Sequence, residues 1–163
     1  MALLSAIMLA QTLAKPAPCG EFTQQKRVAG MSKPFRSSGH YTLAGDTLVW
    51  HTVKPFASTL EVGPNGLYQV SPDGNRQQIA SSDNPLFASF AGLLGALIQG
   101  NQDVLAQRFT LRQEQGAVVL VPKSKLVAKG ISAITITGEP PNSIRLHEPE
   151  GETLIQLVPG ACQ

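Results

Sequence analysis

Three histidines, His40, His51 and His147, are the side chains best suited to acid–base or metal chemistry near neutral pH. They do not cluster in sequence. His40 and His51 could meet across a hairpin and, with Glu61, hold a metal ion, but polar residues on half-buried strands are the plainer reading. His147-Glu148-Pro149-Glu150-Gly151-Glu152 is locally acidic; its Pro and Gly mark a solvated hairpin turn before a weak divalent-ion site. Ser37-Ser38-Gly39, just ahead of a strand, resembles a turn rather than a nucleophile. Lys123-Ser124-Lys125 with Lys129 forms a small basic patch, able to meet anionic headgroups or simply to solvate a loop. There is no Gly-x-Ser-x-Gly elbow, no His-Glu-x-x-His helix and no phosphate-cradling glycine loop. No triad can be assembled, so the expectation is a protein that is not an enzyme, with no cofactor and no metal.

The elements that would position these side chains are short strands. The stretch from Arg36 to Val62 holds three in succession: His40–Leu43, Thr47–Val53 and Thr59–Val62, separated by Ala44-Gly45-Asp46 and by a Lys54-Pro55 break. The middle one is apolar on both alternation sets, Leu48 with Trp50 and Val49 with Val53, which predicts that both of its faces are covered. A strand over Phe22–Val28 precedes this triplet. Gly66–Ser71 and Arg76–Ala80 follow it, joined by the hairpin turn Pro72-Asp73-Gly74-Asn75.

The period then changes. Asn84 caps a predicted helix with Pro85 at its first position. Leu86, Phe87, Phe90, Leu93, Leu94, Leu97 and Ile98 recur at helical spacing up to Gly100. This segment is apolar nearly all round, which suits either an ordinary core helix or a lid over an apolar cavity. A shorter helix over Gln102–Gln107 follows. Strands resume at Arg108–Arg112, Ala117–Pro122, Gly130–Gly138, Ser143–His147 and Thr153–Val158. The fold class expected is α+β, mainly β: one curled antiparallel sheet of about eleven strands, an open or closed barrel, with a helical insert after the sixth strand.

The chain has 163 residues, 42% of them hydrophobic and 15% charged, with net charge +2. That is enough apolar material for one core and too little charge for a disordered chain. The cations are scattered and show no basic–aromatic alternation, so nucleic acid is not an expected partner. Residues 1–14, MALLSAIMLAQTLA, read as the hydrophobic region of a signal peptide that lacks a basic start, or else as a mature amphipathic helix. They are shorter than a membrane-spanning helix, so stable membrane insertion is not expected. Residues 15–163 then form the domain. Cys19 and Cys162, the two cysteines, stand near its ends. In an oxidising compartment they form one disulfide tying the first strand to the last; otherwise they are two free thiols. With a leader, the compartment is the periplasm or the exterior.

Taken in order, Phe22-Thr23-Gln24-Gln25-Lys26-Arg27, Pro34-Phe35-Arg36-Ser37-Ser38-Gly39, Leu48-Val49-Trp50-His51-Thr52 with Pro55-Phe56, and Pro85-Leu86-Phe87 resemble the LolA and LolA-like periplasmic outer-membrane lipoprotein carriers. Each motif is short; their order and spacing carry the likeness from Phe22 to about Val158. The family's arginine before the tryptophan falls on Val49 here. The resemblance implies an unclosed antiparallel β-barrel with a helical lid, holding acyl chains in a hydrophobic cavity. It implies a monomeric periplasmic carrier that takes a lipoprotein or glycolipid from an inner-membrane exporter to an outer-membrane acceptor. Exposed acyl chains cost about 0.8 kcal/mol per CH₂ in water, so their transit needs an apolar container. The residues assigned to such a cavity are Leu48, Trp50, Val53, Leu60, Val119 and Ile134, and those assigned to the lid are Phe87, Phe90, Leu94 and Leu97; ordinary core packing suits each of them as well. The alternative is a non-enzymatic periplasmic module that recognises a protein or peptide partner on its open sheet.

Overall fold

A computed structural model describes residues 18–81, 102–138, 141–160 and 162. Eleven antiparallel strands form one sheet: β1 (Cys19–Val28), β2 (Phe35–Ala44), β3 (Thr47–Lys54), β4 (Ser58–Gly63), β5 (Gly66–Val70), β6 (Arg76–Ser81), β7 (Phe109–Glu114), β8 (Ala117–Pro122), β9 (Ala133–Thr137), β10 (Ser143–Glu148) and β11 (Gly151–Pro159). Two short helices are described, α1 (Gln102–Arg108) after β6 and α2 (Lys125–Ala128) after β8. Helix α2 is absent from the sequence reading, although Ser124 is a regular N-cap whose side chain accepts from the Val127 amide.

The strand order is β6-β5-β4-β3-β2-β1-β11-β10-β9-β8-β7. Each strand therefore neighbours its predecessor in the chain, except that β1 and β11 meet in the middle of the sheet and β6 and β7 are its two edges. The barrel is unclosed. The seam between β1 and β11 runs from Gly20 opposite Pro159 to Val28 opposite Gly151. Cys19 and Cys162 are bonded across the end of this seam, with their Cα atoms 5.1 Å apart.

Alternation sorts the side chains into two faces. On the concave face, Phe22, Tyr41, Leu48, Trp50, Val62, Val118, Leu120, Ile134, Ile136, Ile144, Leu146, Ile155 and Leu157 form one buried cluster, joined by Leu105 from α1 and by Phe109. Cross-strand pairs build it rung by rung: Leu120 opposes Ile134, which opposes Leu146, while Val118 opposes Ile136, which opposes Ile144.

The expectation that both faces of β3 are covered fails at its end. Ser38 pairs with Lys54 but Gly39 pairs with Thr52, so Val53 is an extra residue bulged out of the β2–β3 ladder. It is 47% exposed. Gly39 makes the bulge possible, because a Cβ there would lie 1.9 Å from the His51 carbonyl oxygen.

Candidate functional site

The concave face is centred on three stacked rings. Phe22 lies on Trp50 with centroids 3.8 Å apart, and Tyr41 flanks Trp50 at 6.1 Å. The sheet explains the arrangement: Tyr41 opposes Trp50 directly, while Phe22 opposes Gly39, which carries no side chain between Phe22 and the indole. Tyr41 also covers Gly20, where a Cβ would meet the phenol oxygen at 2.7 Å. The Tyr41 hydroxyl is buried with no hydrogen-bond partner among the described residues, and burial raises its pKa above 10.0.

The residues assigned to an acyl cavity divide among three locations. Leu48, Trp50 and Ile134 belong to the concave cluster, and Leu60, which opposes Trp50, packs against it partly buried. Val119 is buried but lies on the other face, where it opposes Arg112 and Thr135 rather than the concavity. Val53 stands on the bulge at the rim. The four lid residues, Phe87, Phe90, Leu94 and Leu97, lie outside the described residues. Sequence reasoning missed Phe22, Leu120, Ile136 and Ile155, all in the cluster; the signal for each was its place in an alternating apolar set.

The histidines that could do chemistry occupy the outer face. His40 and His51 are cross-strand neighbours with ring centroids 4.7 Å apart. His51 Nδ1 is 2.6 Å from Thr59 Oγ1, and His147 Nε2 is 3.0 Å from Thr135 Oγ1. Glu61 accepts from Arg76 Nε at 3.0 Å, and that guanidinium lies 3.7 Å over the Tyr68 ring. His40, His51 and Glu61 therefore supply no acid–base pair to the apolar concavity. Among the described residues no three His, Cys, Asp or Glu side chains gather closely enough to hold a metal ion. The His147–Glu152 segment is the expected hairpin turn, and two of its three carboxylates are engaged: Glu152 by Arg145, and Glu148 by Thr153 Oγ1 at 2.5 Å and Lys26 at 3.6 Å.

An unclosed eleven-stranded sheet with one apolar concave face has a counterpart in sequence. A family model described as outer membrane lipoprotein carrier protein LolA-like matches residues 2–162. The chain belongs to this LolA-like family. No curated relative matches it significantly. Its structure is similar to the crystal structure of the LolA superfamily protein NE2245 from Nitrosomonas europaea, with TM-score 0.51 at 6% identity over 98% of this chain and 94% of that one. The crystal structure of LprF from Mycobacterium bovis aligns over 97% of this chain and 92% of that one at 12% identity, with TM-score 0.39. The likeness to NE2245 is one of fold. In this LolA-like chain the family's arginine position, Val49, is partly buried opposite Thr42 and Glu61. Among the described residues no helix is long and apolar enough to cross a membrane.

Proposed function

We propose that this LolA-like chain is a periplasmic carrier. It binds the acyl chains of a lipoprotein or glycolipid against its concave face and ferries them from an inner-membrane exporter to an outer-membrane acceptor, acting as a monomer. The observation that carries the reading is the concave cluster itself, in an unclosed sheet: a continuous buried apolar face running from Val62 through Trp50 and Phe22 to Leu120, in a barrel with an open side. Apolar side chains without a hydrogen-bonding pattern suit methylene chains, which offer area and no polar handle. The apolar segment 85–98, by its composition, is the part of the chain suited to cover bound acyl chains. The Cys19–Cys162 bond accords with an oxidising compartment.

Trp50 is the chain's one tryptophan and sits within this face, so it reports on occupancy directly. Titration with a fluorescent fatty-acyl probe is expected to shift Trp50 emission, and native mass spectrometry with lipid extraction of protein from a bacterial periplasm is expected to release an acylated species. Phe90→Asp is expected to abolish uptake while the β-sheet circular dichroism survives. A clean apo mass together with an unmoved Trp50 spectrum would rule the carrier out in favour of a module that binds a protein partner on its sheet.

A further inference from the structure

One end of the sheet gathers cations and exposed apolar side chains that neither the core nor the concave face uses. The β1–β2 loop and the β3–β4 loop lie side by side there, because Ser38, near the start of β2, pairs with Lys54, the last residue of β3. Met31, Phe35, Val53 and Phe56 project from this rim at 55%, 53%, 47% and 78% exposure. These are four of the seven large apolar side chains that stand exposed among the described residues. Next to them, on the outer face, is a groove of about 590 Å³ whose lining includes Arg36, Lys54, Thr23, Ser38, Gln25 and Gln156. Among the described residues no carboxylate lines it.

Among the described residues the charges of this groove have no carboxylate partner. Lys26, Arg76, Arg112 and Arg145 each have a carboxylate partner, whereas among the described residues neither Arg36 nor Lys54 has one. Among the described residues Glu21 shares an adjoining groove with Lys54 but makes no ion pair with it, and Glu148, at the end of β10, is already held by Lys26. Lys33 adds a third cation from the β1–β2 loop. Two free cations beside hydroxyl and amide donors match a phosphate's charge and its acceptor oxygens. The flanking apolar side chains would face water on a free phosphate's partner, but would be buried against a bilayer. Aromatic and aliphatic side chains at headgroup level, interleaved with Lys and Arg, are the composition of an interfacial membrane contact.

We infer that this rim docks on the surface of an anionic phospholipid bilayer, with a lipid phosphate seated between Arg36 and Lys54 and with Phe56 and Val53 entering the interface. Contact is peripheral. It presents the molecule to a membrane through a surface separate from the concave face, so it stands whether or not that face carries acyl chains.

The test is flotation of the full chain with vesicles of phosphatidylglycerol and phosphatidylcholine, compared with phosphatidylcholine alone, at low and high salt. Binding is expected to the anionic vesicles and to weaken with salt. Neutralising one cation, Arg36→Gln or Lys54→Gln, is expected to lower partitioning about fivefold, and both together about 25-fold. Phe56→Ser is expected to lower it about fivefold. Arg112→Gln, at the far edge of the sheet, is expected to leave it unchanged. Equal partitioning to neutral vesicles, or indifference to Arg36 and Lys54, overturns the inference. So does binding of inorganic phosphate alone with no flotation, or loss in these variants of an acidic protein partner rather than of vesicles. Uptake of the acyl probe, read at Trp50 in the same variants, separates this result from the carrier reading: it is expected to be unaffected.

Discussion

Tyr41 shows how much a single position can reveal. Its ring is well used, covering Gly20 and flanking Trp50, but its hydroxyl is buried with no partner among the described residues. A buried unsatisfied hydroxyl costs about 1–3 kcal/mol, so Tyr41→Phe is expected to raise stability by about 1 kcal/mol in urea denaturation. Alkaline titration provides a second readout. Burial holds the phenol's folded-state pKa above its ordinary 10.0, so the unfolded chain gives up this proton at lower pH than the folded one. The stability associated with neutral Tyr41 is complete below pH 10 and is lost as pH rises through the folded-state value. The phenylalanine variant should lack that loss. A variant less stable than the parent would instead mean that the hydroxyl has a partner.

At the scale of elements, the β2–β3 pair decides which residues face the concavity. Alternation alone places Val53 on a face of β3 with Val49, and the bulge removes it to the rim. Gly39→Val is expected to force β2 and β3 apart, since its Cβ would overlap the His51 carbonyl. The cost should reach roughly 2–4 kcal/mol, with loss of the near-ultraviolet signal from Trp50, whereas Gly45→Ala at the next turn, with open space around it, should cost less. Gly45 has φ +63°, so a modest cost is expected even there. The six strands before the insert and the five after it were legible in the alternation of Val, Ile, Leu and Thr with polar residues. Helix α2 was not, because four residues give no helical period to read. Neither was the shortening of β9 to Ala133–Thr137, since Gly130 and Ile131 bond back to the Val127 carbonyl instead of to a strand.

For the whole molecule, the disulfide is the long-range restraint. Cys19 and Cys162 are separated by 143 positions and join the ends of the two central strands. Cross-links that close loops of this length stabilise by about 2–5 kcal/mol, chiefly by constraining the unfolded chain. Reduction, or Cys162→Ser, is expected to lower the unfolding free energy by that amount, and the denaturation midpoint with it, while leaving the native circular dichroism intact. An unchanged midpoint would show that the β1–β11 ladder alone secures the seam.

Local side-chain chemistry is enough to specify how many strands form, where the hairpins turn, that the sheet is antiparallel and mainly β, and that a period change after β6 introduces helix. All of that rests on near-neighbour effects: alternation, turn residues and caps. The family motifs from Phe22 to Phe87 are likewise a property of order along the chain. Tertiary structure alone decided the rest. It brought β1 beside β11, put Phe22 on Trp50, buried Val119 on the outer face, sent His40, His51 and Glu61 away from the concavity, and set Arg36 beside Lys54 in one groove. Such placements depend on register between strands distant in sequence and on one bulged residue. A shift of one residue exchanges the faces of a strand, and no local pattern records which partner it will meet.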